Sequence, residues 1–366
     1  MNTMIKLPCR RVVVGNTCFY IFWLILLLGK GLGYTSKIPA MRMMTWCAIP
    51  FALLKLISTR WSRMELCIVI PLFMLGIINM LFTKETTALL TVITISCMKN
   101  IDMDTLFLRS FWIKLGLFIY TISKSLLGIT DMEKIIRYEA DEMTVRYALG
   151  YGQPNSTHYT LFCIIVFCVL SYKDALKFLH YLLLMLGNAL LYGFTYSRTG
   201  FIMCTGVIII GYLLKFKGTK MIWRWFVDII GKNAFLILSL VSIVICYLIN
   251  QIEWLSSFGT LSSRFITSAA VINDQNISLF GNYGVETDFG YINILYTDGA
   301  IFFLLFIMLN TVLLYRFNKM KMAHETLIMI CYSVYSLSES YTDSILMNIS
   351  LAYFSAILFK GNSRGI

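Results

Sequence analysis

The chain has 366 residues, of which 58% are hydrophobic and only 14% charged, and its formal net charge is +12. A soluble fold keeps charged residues near about a quarter of the chain, and a disordered chain or a nucleic-acid binder needs still more. What remains is an all-α polytopic integral membrane protein, with no nucleic-acid partner, whose basic surplus reads as Lys and Arg holding loops on the cytoplasmic side.

A spanning helix needs about 20 mostly apolar residues. In chain order the candidates are Val12–Gly29, Ile38–Ile57, Met64–Phe82, Thr86–Met98, Leu106–Leu127, His158–Tyr172, Ala175–Phe194, Thr199–Phe216, Asn233–Gln251, Phe289–Tyr315, Thr326–Leu337 and Ile345–Phe359. The fourth, eleventh and twelfth are short, so 10–12 transmembrane helices are expected in a single transmembrane domain. The first reads as a signal anchor retained as a helix. With the N-terminus inside, the inner segments carry twice as many Lys and Arg as the outer ones, which is the bias that cytoplasmic loops show. That bias requires Thr86–Met98 to cross, and it puts both termini in the cytoplasm. The longest inner loop contains MIWRWFVDII, which reads as an interfacial amphipathic helix with tryptophans at headgroup level. Two outer segments are long, residues 128–157 and 252–288, and the functional surface is expected where they meet the outer helix ends.

Polar residues near those ends ask for a reason. TYSRTGF places Arg198 at an outer helix junction, either to grip a phosphate through paired hydrogen bonds or to snorkel to the interface. RYALGYGQPNSTHY is a tight, irregular segment leading into a helix that Ser156 or Thr157 can cap. Arg146 with that helix start makes a candidate anion site; His158, at the membrane border, is a candidate acid or base, or a satisfied polar group. LSSRF brings Arg264, in a stretch read as a surface helix starting at Ser262 or Ser263. Glu286 and Asp288 then precede a helix with Tyr291 and Asn293, as candidate bases or as acids suited to the helix dipole. Glu339 and Asp343, four residues apart in SLSESYTDSILMN, would share a helix face, as a base or sugar ligand or as a polar turn. Walker A, HExxH and GxSxG motifs are absent from the sequence, and no convincing metal-ligand spacing occurs.

The order of these blocks, GYGQPNSTHY, TYSRTGF, LSSRF with LFGNYG, then DFGYINILYTDGAIFFLL, resembles the bacterial oligosaccharide repeat-unit polymerases, called Wzy, and their relatives the O-antigen ligases. The resemblance spans Arg146 to Phe306 by motif and the rest by topology; a clear histidine in the late outer loop, part of the ligase pattern, is missing. It implies a glycosyltransferase fold of type C, working without metal or cofactor at the outer face of the bacterial cytoplasmic membrane. It implies a glycan transfer from undecaprenyl diphosphate to a sugar hydroxyl of the next lipid-linked repeat unit, building O-antigen, capsule or exopolysaccharide. Partners are then undecaprenyl-diphosphate-linked oligosaccharides, membrane lipid, and flippase and chain-length regulator proteins. Under this reading Arg146, Arg198 and Arg264 hold the diphosphate; Glu286, Asp288, Glu339 or His158 carries the proton; and Asn155, Tyr196 and Tyr291 meet the sugars. The rival classes are a glycan flippase or other transporter, which should show midplane polar groups and paired halves, and a membrane acyltransferase resting on His324–Glu325.

Overall fold

The computed structural model describes residues 10–35, 38–139, 142–249, 251 and 260–359. It is mostly helical. Eight of the described helices are long and apolar enough to cross a membrane: α1 (Arg10–Gly31), α2 (Pro39–Ser58), α3 (Arg63–Thr83), α5 (Met103–Leu126), α6 (Pro154–Tyr172), α7 (Phe178–Thr195), α10 (Ala234–Leu248) and α12 (Ala300–Lys319). Between and after them lie α4 (Thr87–Cys97), α8 (Arg198–Leu213), α9 (Lys217–Ile229), α11 (Thr260–Asp274), α13 (Ala323–Tyr335) and α14 (Phe354–Leu358). Local chemistry sets several starts. Pro39 and Pro154 occupy first-turn positions, where the missing N–H costs nothing. Ser62 and Glu65 form a reciprocal capping box on α3, and the Asp102 carboxylate accepts from Thr105 N at 2.8 Å to start α5.

Polar contacts sort the helix ends into two groups. At the near end, Arg11 Nη2 donates to Ile57 O and Lys99 pairs with Glu65. Lys173 there pairs with Asp104 and Glu325, and Lys220 with Asp174; Asn318 bonds Asp228. These contacts join the start of α1 to the α2–α3, α4–α5, α6–α7 and α12–α13 turns and to α9. They are the segments in which the sequence concentrates its Lys and Arg. At the far end, Thr121 and Tyr151 donate to Gly31 O, and Asn79 donates to Phe280 O and Asp298 O. The short α4 runs from the far end to the near end: Thr91 near its start bonds Asp343 O, and Cys97 at its close lies on Ala52 O of α2. The alternation that the loop charges demanded is therefore kept through eleven helical residues.

Central to the bundle is α6, buried without interruption from Thr157 to Leu170. A ring stack ties its start to the end of α13: Tyr159 lies 4.8 Å from Tyr335 and 5.2 Å from Tyr341. The outward surface is apolar, with Trp46, Met74, Leu183, Leu240 and Leu304 exposed, as hydrocarbon rather than water permits.

Four expectations need correction. The outer segment 128–157 holds a hairpin, β1 (Lys134–Glu139) and β2 (Glu142–Tyr147), paired antiparallel with Ile135 opposite Arg146. The span read as Phe289–Tyr315 is broken: Gly290–Asn293 runs into a π-turn over Ile294–Asp298, and α12 starts only after Gly299. Gly281 and Gly299 both have positive φ (99° and 96°), and a β-carbon at either would strike backbone of the other strand of this crossing. The last segment is a 3₁₀ turn, Ile349–Tyr353, followed by the one-turn α14. Finally, α6 begins at Pro154, so neither Ser156 nor Thr157 caps it; Thr157 Oγ1 donates instead to Ala148 O and Gln153 O. The MIWRWFVDII stretch is helical in α9, with Met221, Ile222 and Trp225 exposed. Residues 252–259 of the second long segment lie outside the described residues, and so do the side chains of Ser262 and Ser263.

Candidate functional site

The hairpin positions Arg146. From β2 its Nε donates to Thr195 O (2.9 Å) at the end of α7, and Nη2 donates to Asn155 Oδ1 (2.6 Å) in the first turn of α6. Two helix ends and one strand are thus fastened by a single planar cation, a geometry that a lysine does not reproduce. This contact occupies Asn155 Oδ1, and the half-buried side chain keeps its amide N–H donors outside it.

Arg264 enters from α11. Its Nη1 and Nη2 both donate to Glu339 Oε1, at 3.1 Å each. Glu339 follows α13 at the far end, with only 5% of its surface exposed. Burial pushes its carboxyl up to about 7; Arg264 pulls it back, Asp288 adds to the rise, and Arg146 opposes it. Those influences put Asp288 and Arg146 within electrostatic reach of the same carboxyl. The second oxygen, Oε2, has no hydrogen bond among the described residues. Beside it Ser156 Oγ and Tyr341 OH share a hydrogen bond of 3.0 Å. A carboxyl with one oxygen anchored and one free, titrating near neutrality, is suited to take a proton from a hydroxyl.

The remaining residues singled out by sequence divide. Arg198 is exposed as the first residue of α8, three residues beyond the Thr195 carbonyl that holds Arg146. Tyr196 is exposed in a left-handed conformation (φ 45°) that closes α7. Glu286 and Asp288 are exposed on the approach to Gly290. Tyr291 is not available to sugars: it is fully buried and donates to Ser333 O at 2.8 Å. Glu339 and Asp343 do not share a helix face. They bracket a 3₁₀ turn, Asp343 lying near Lys30, Glu85 and Asp298 while Glu339 faces the arginines.

His158 is a structural histidine. Nε2 lies 2.8 Å from Asn188 Oδ1, whose amide nitrogen is committed to Phe201 O and Thr205 Oγ1, so Nε2–H is the donor. Nδ1 lies 2.9 Å from Thr195 Oγ1, whose one hydroxyl hydrogen is shared between that nitrogen and Leu191 O at 3.0 Å. Gly200 packs against the ring so closely that a β-carbon would lie 2.8 Å from it. Replacing His158 with Ala is expected to lower stability by about 1–3 kcal/mol by stranding Asn188 and Thr195. The rate per folded molecule should stay within about tenfold of wild type, whereas loss of a proton-transfer group costs roughly 10²–10⁴. Thermal unfolding alongside turnover separates the two.

Sequence reasoning missed an interior set. Lys114, mid-way along α5, is fully enclosed and donates to Leu346 O at 2.9 Å. Lys30, Asp343 and Asp298 lie near it or one another, and Asp298 and Asp343 border an apolar groove between α3, α4, α12 and α14 that includes Leu72, Val92, Phe302 and Phe354. The available signal is the placement of Lys114 and Asp298 inside apolar runs. Glu325, half of the acyltransferase pair, is committed to Lys173 at 2.9 Å.

No protein-family model, no curated protein and no solved structure matches this chain.

Proposed function

We propose that the chain is an integral-membrane glycosyltransferase that polymerises undecaprenyl-diphosphate-linked oligosaccharide repeat units into surface polysaccharide. On this reading the near end is cytoplasmic and the chain makes ten to twelve passes through the bacterial cytoplasmic membrane, with 128–157 and 252–288 outside, as in a type C glycosyltransferase. The observation that carries it is the buried Glu339, anchored on one oxygen by Arg264 and open on the other, with Arg146 nearby. The acceptor hydroxyl attacks the anomeric carbon of the donor glycan. Its proton passes to Glu339 Oε2, the new glycosidic C–O bond forms, and the C–O bond to the diphosphate breaks. Undecaprenyl diphosphate leaves carrying the negative charge, which Arg198 and the Arg146 end of the site stabilise. The donor is already activated, so no nucleotide is consumed.

Purified protein in lipid nanodiscs, given defined lipid-linked repeat units, should release undecaprenyl diphosphate and form a ladder of lengthening glycans. Absence of both products from active preparations overturns the assignment; transfer only to a lipid A acceptor indicates a ligase. The buried Lys114 and Asp298 favour a second reading, a transporter for the same lipid-linked glycans. It is identified by movement of the lipid across a proteoliposome membrane without a new glycosidic bond.

A further inference from the structure

At the near end a cavity of about 100 Å³ lies between the start of α1 and the end of α2. Lys55 lines it, 2% exposed, and forms no ion pair among the described residues. Among the described residues the one acceptor on its ammonium is Asn16 Oδ1, at 2.7 Å. Arg60 borders the same cavity, and its guanidinium has no hydrogen bond among the described residues. The nearest carboxylate, Glu65, is occupied by Lys99. Gly15 faces Ser58 so closely that any β-carbon would collide with the hydroxyl, which brings the two helices together around the opening. An enclosed ammonium with a single neutral acceptor is expensive to bury unless an anion completes it.

We infer that this cavity is a binding site for a phosphate group, held by Lys55 and Arg60 at the membrane surface opposite the proposed catalytic end. The chemistry is that of a tetrahedral oxyanion met by an ammonium and a guanidinium, since the Ser58 and Thr59 hydroxyls already donate to Lys55 O. Two sources carry such a group: the headgroup of an anionic phospholipid and free inorganic phosphate. The site stands independently of the polymerase reading, since it uses no residue of the far end.

The test uses the full chain in nanodiscs of phosphatidylcholine, with and without phosphatidylglycerol, and in phosphatidylcholine nanodiscs with inorganic phosphate. Thermal unfolding and native mass spectrometry report binding. Wild type should unfold several degrees higher with phosphatidylglycerol and retain that lipid. Lys55→Met and Arg60→Gln should each weaken retention about tenfold or more, while Arg316→Gln, an exposed near-end arginine elsewhere, should not. A rise with inorganic phosphate that Lys55→Met abolishes identifies the free ion as the ligand; a rise with the lipid alone identifies the headgroup. Should Lys55→Met fail to fold, the exposed Arg60 carries the test. Equal binding of both probes to wild type, Lys55→Met and Arg60→Gln overturns the inference, as does binding of neither probe to wild type.

Discussion

Replacing Glu339 with Gln should lower glycan polymerisation about 10²- to 10⁴-fold, the usual contribution of a positioned proton acceptor. It should also erase a pH dependence. In wild type the Glu339 carboxyl is pushed up to about 7 by burial, against the pull of Arg264. Only the deprotonated form accepts a proton, so the rate should climb as pH rises through about 7, over roughly pH 6 to 8. Glutamine keeps the shape and an oxygen for Arg264 but cannot titrate, so the residual rate of Glu339→Gln should be flat across that window. A pH-rate profile on nanodisc-embedded protein reads both quantities. A variant that is slow yet retains the wild-type rise would make Glu339 a positioning residue and place the titration in another group.

Arg264→Ala should be the most destabilising single change at the far end. The pair is enclosed, with 16% of the arginine side chain and 7% of the glutamate side chain exposed. Removing one partner from such a pair typically costs about 3–5 kcal/mol, because the other charge is left buried alone. The direction with pH follows. A carboxyl raised above its ordinary value, near 4.5, folds without penalty while protonated and opposes folding once ionised. The variant should therefore be most stable below about pH 4.5 and lose stability as pH rises through the folded value. Combining Arg264→Ala with Glu339→Gln should recover most of the lost stability at neutral pH and none of the activity. Thermal unfolding of the four proteins at two pH values, as a double-mutant cycle, measures the coupling. Additive effects would mean that the two side chains act separately.

The bundle was legible where hydrophobic length and loop charge spoke together. α4 is the clearest instance: eleven helical residues are too few to identify by length, yet the basic surplus of every later loop required a crossing there, and Lys99 lies with Glu65 at the near end as that required. The hairpin was not legible, because adjacent Ile135 and Ile136 break the alternation that marks a strand and the flanking charges read as loop. Arg146 and Arg264 stand out as arginines beside polar turns in the two long segments, and the structure bonds Arg264 to Glu339 and leaves Arg146 within electrostatic reach of it. What sequence could not distinguish was a polar group facing a site from one facing the core. Tyr291 and His158 resemble ligand-binding residues in composition, but each spends its polar atoms on interior partners, Ser333 and the Thr195–Asn188 pair. Periodicity assigned Glu339 and Asp343 to one face only by assuming a regular helix, and the 3₁₀ turn between them points each carboxyl to a different neighbourhood.

The brevity of α4 has a consequence for the surrounding lipid. Eleven residues rise about 16 Å, roughly half of the ~30 Å hydrocarbon thickness, and the neighbouring α14 is one turn long. The apolar groove beside them, about 80 Å³ in volume, is bordered by Asp298 and Asp343. Hydrophobic mismatch at such a place is relieved by thinning the bilayer and drawing headgroups inward. On the proposed membrane reading, an amphiphile entering by this groove would meet the two carboxyls beside short helices rather than full-length ones.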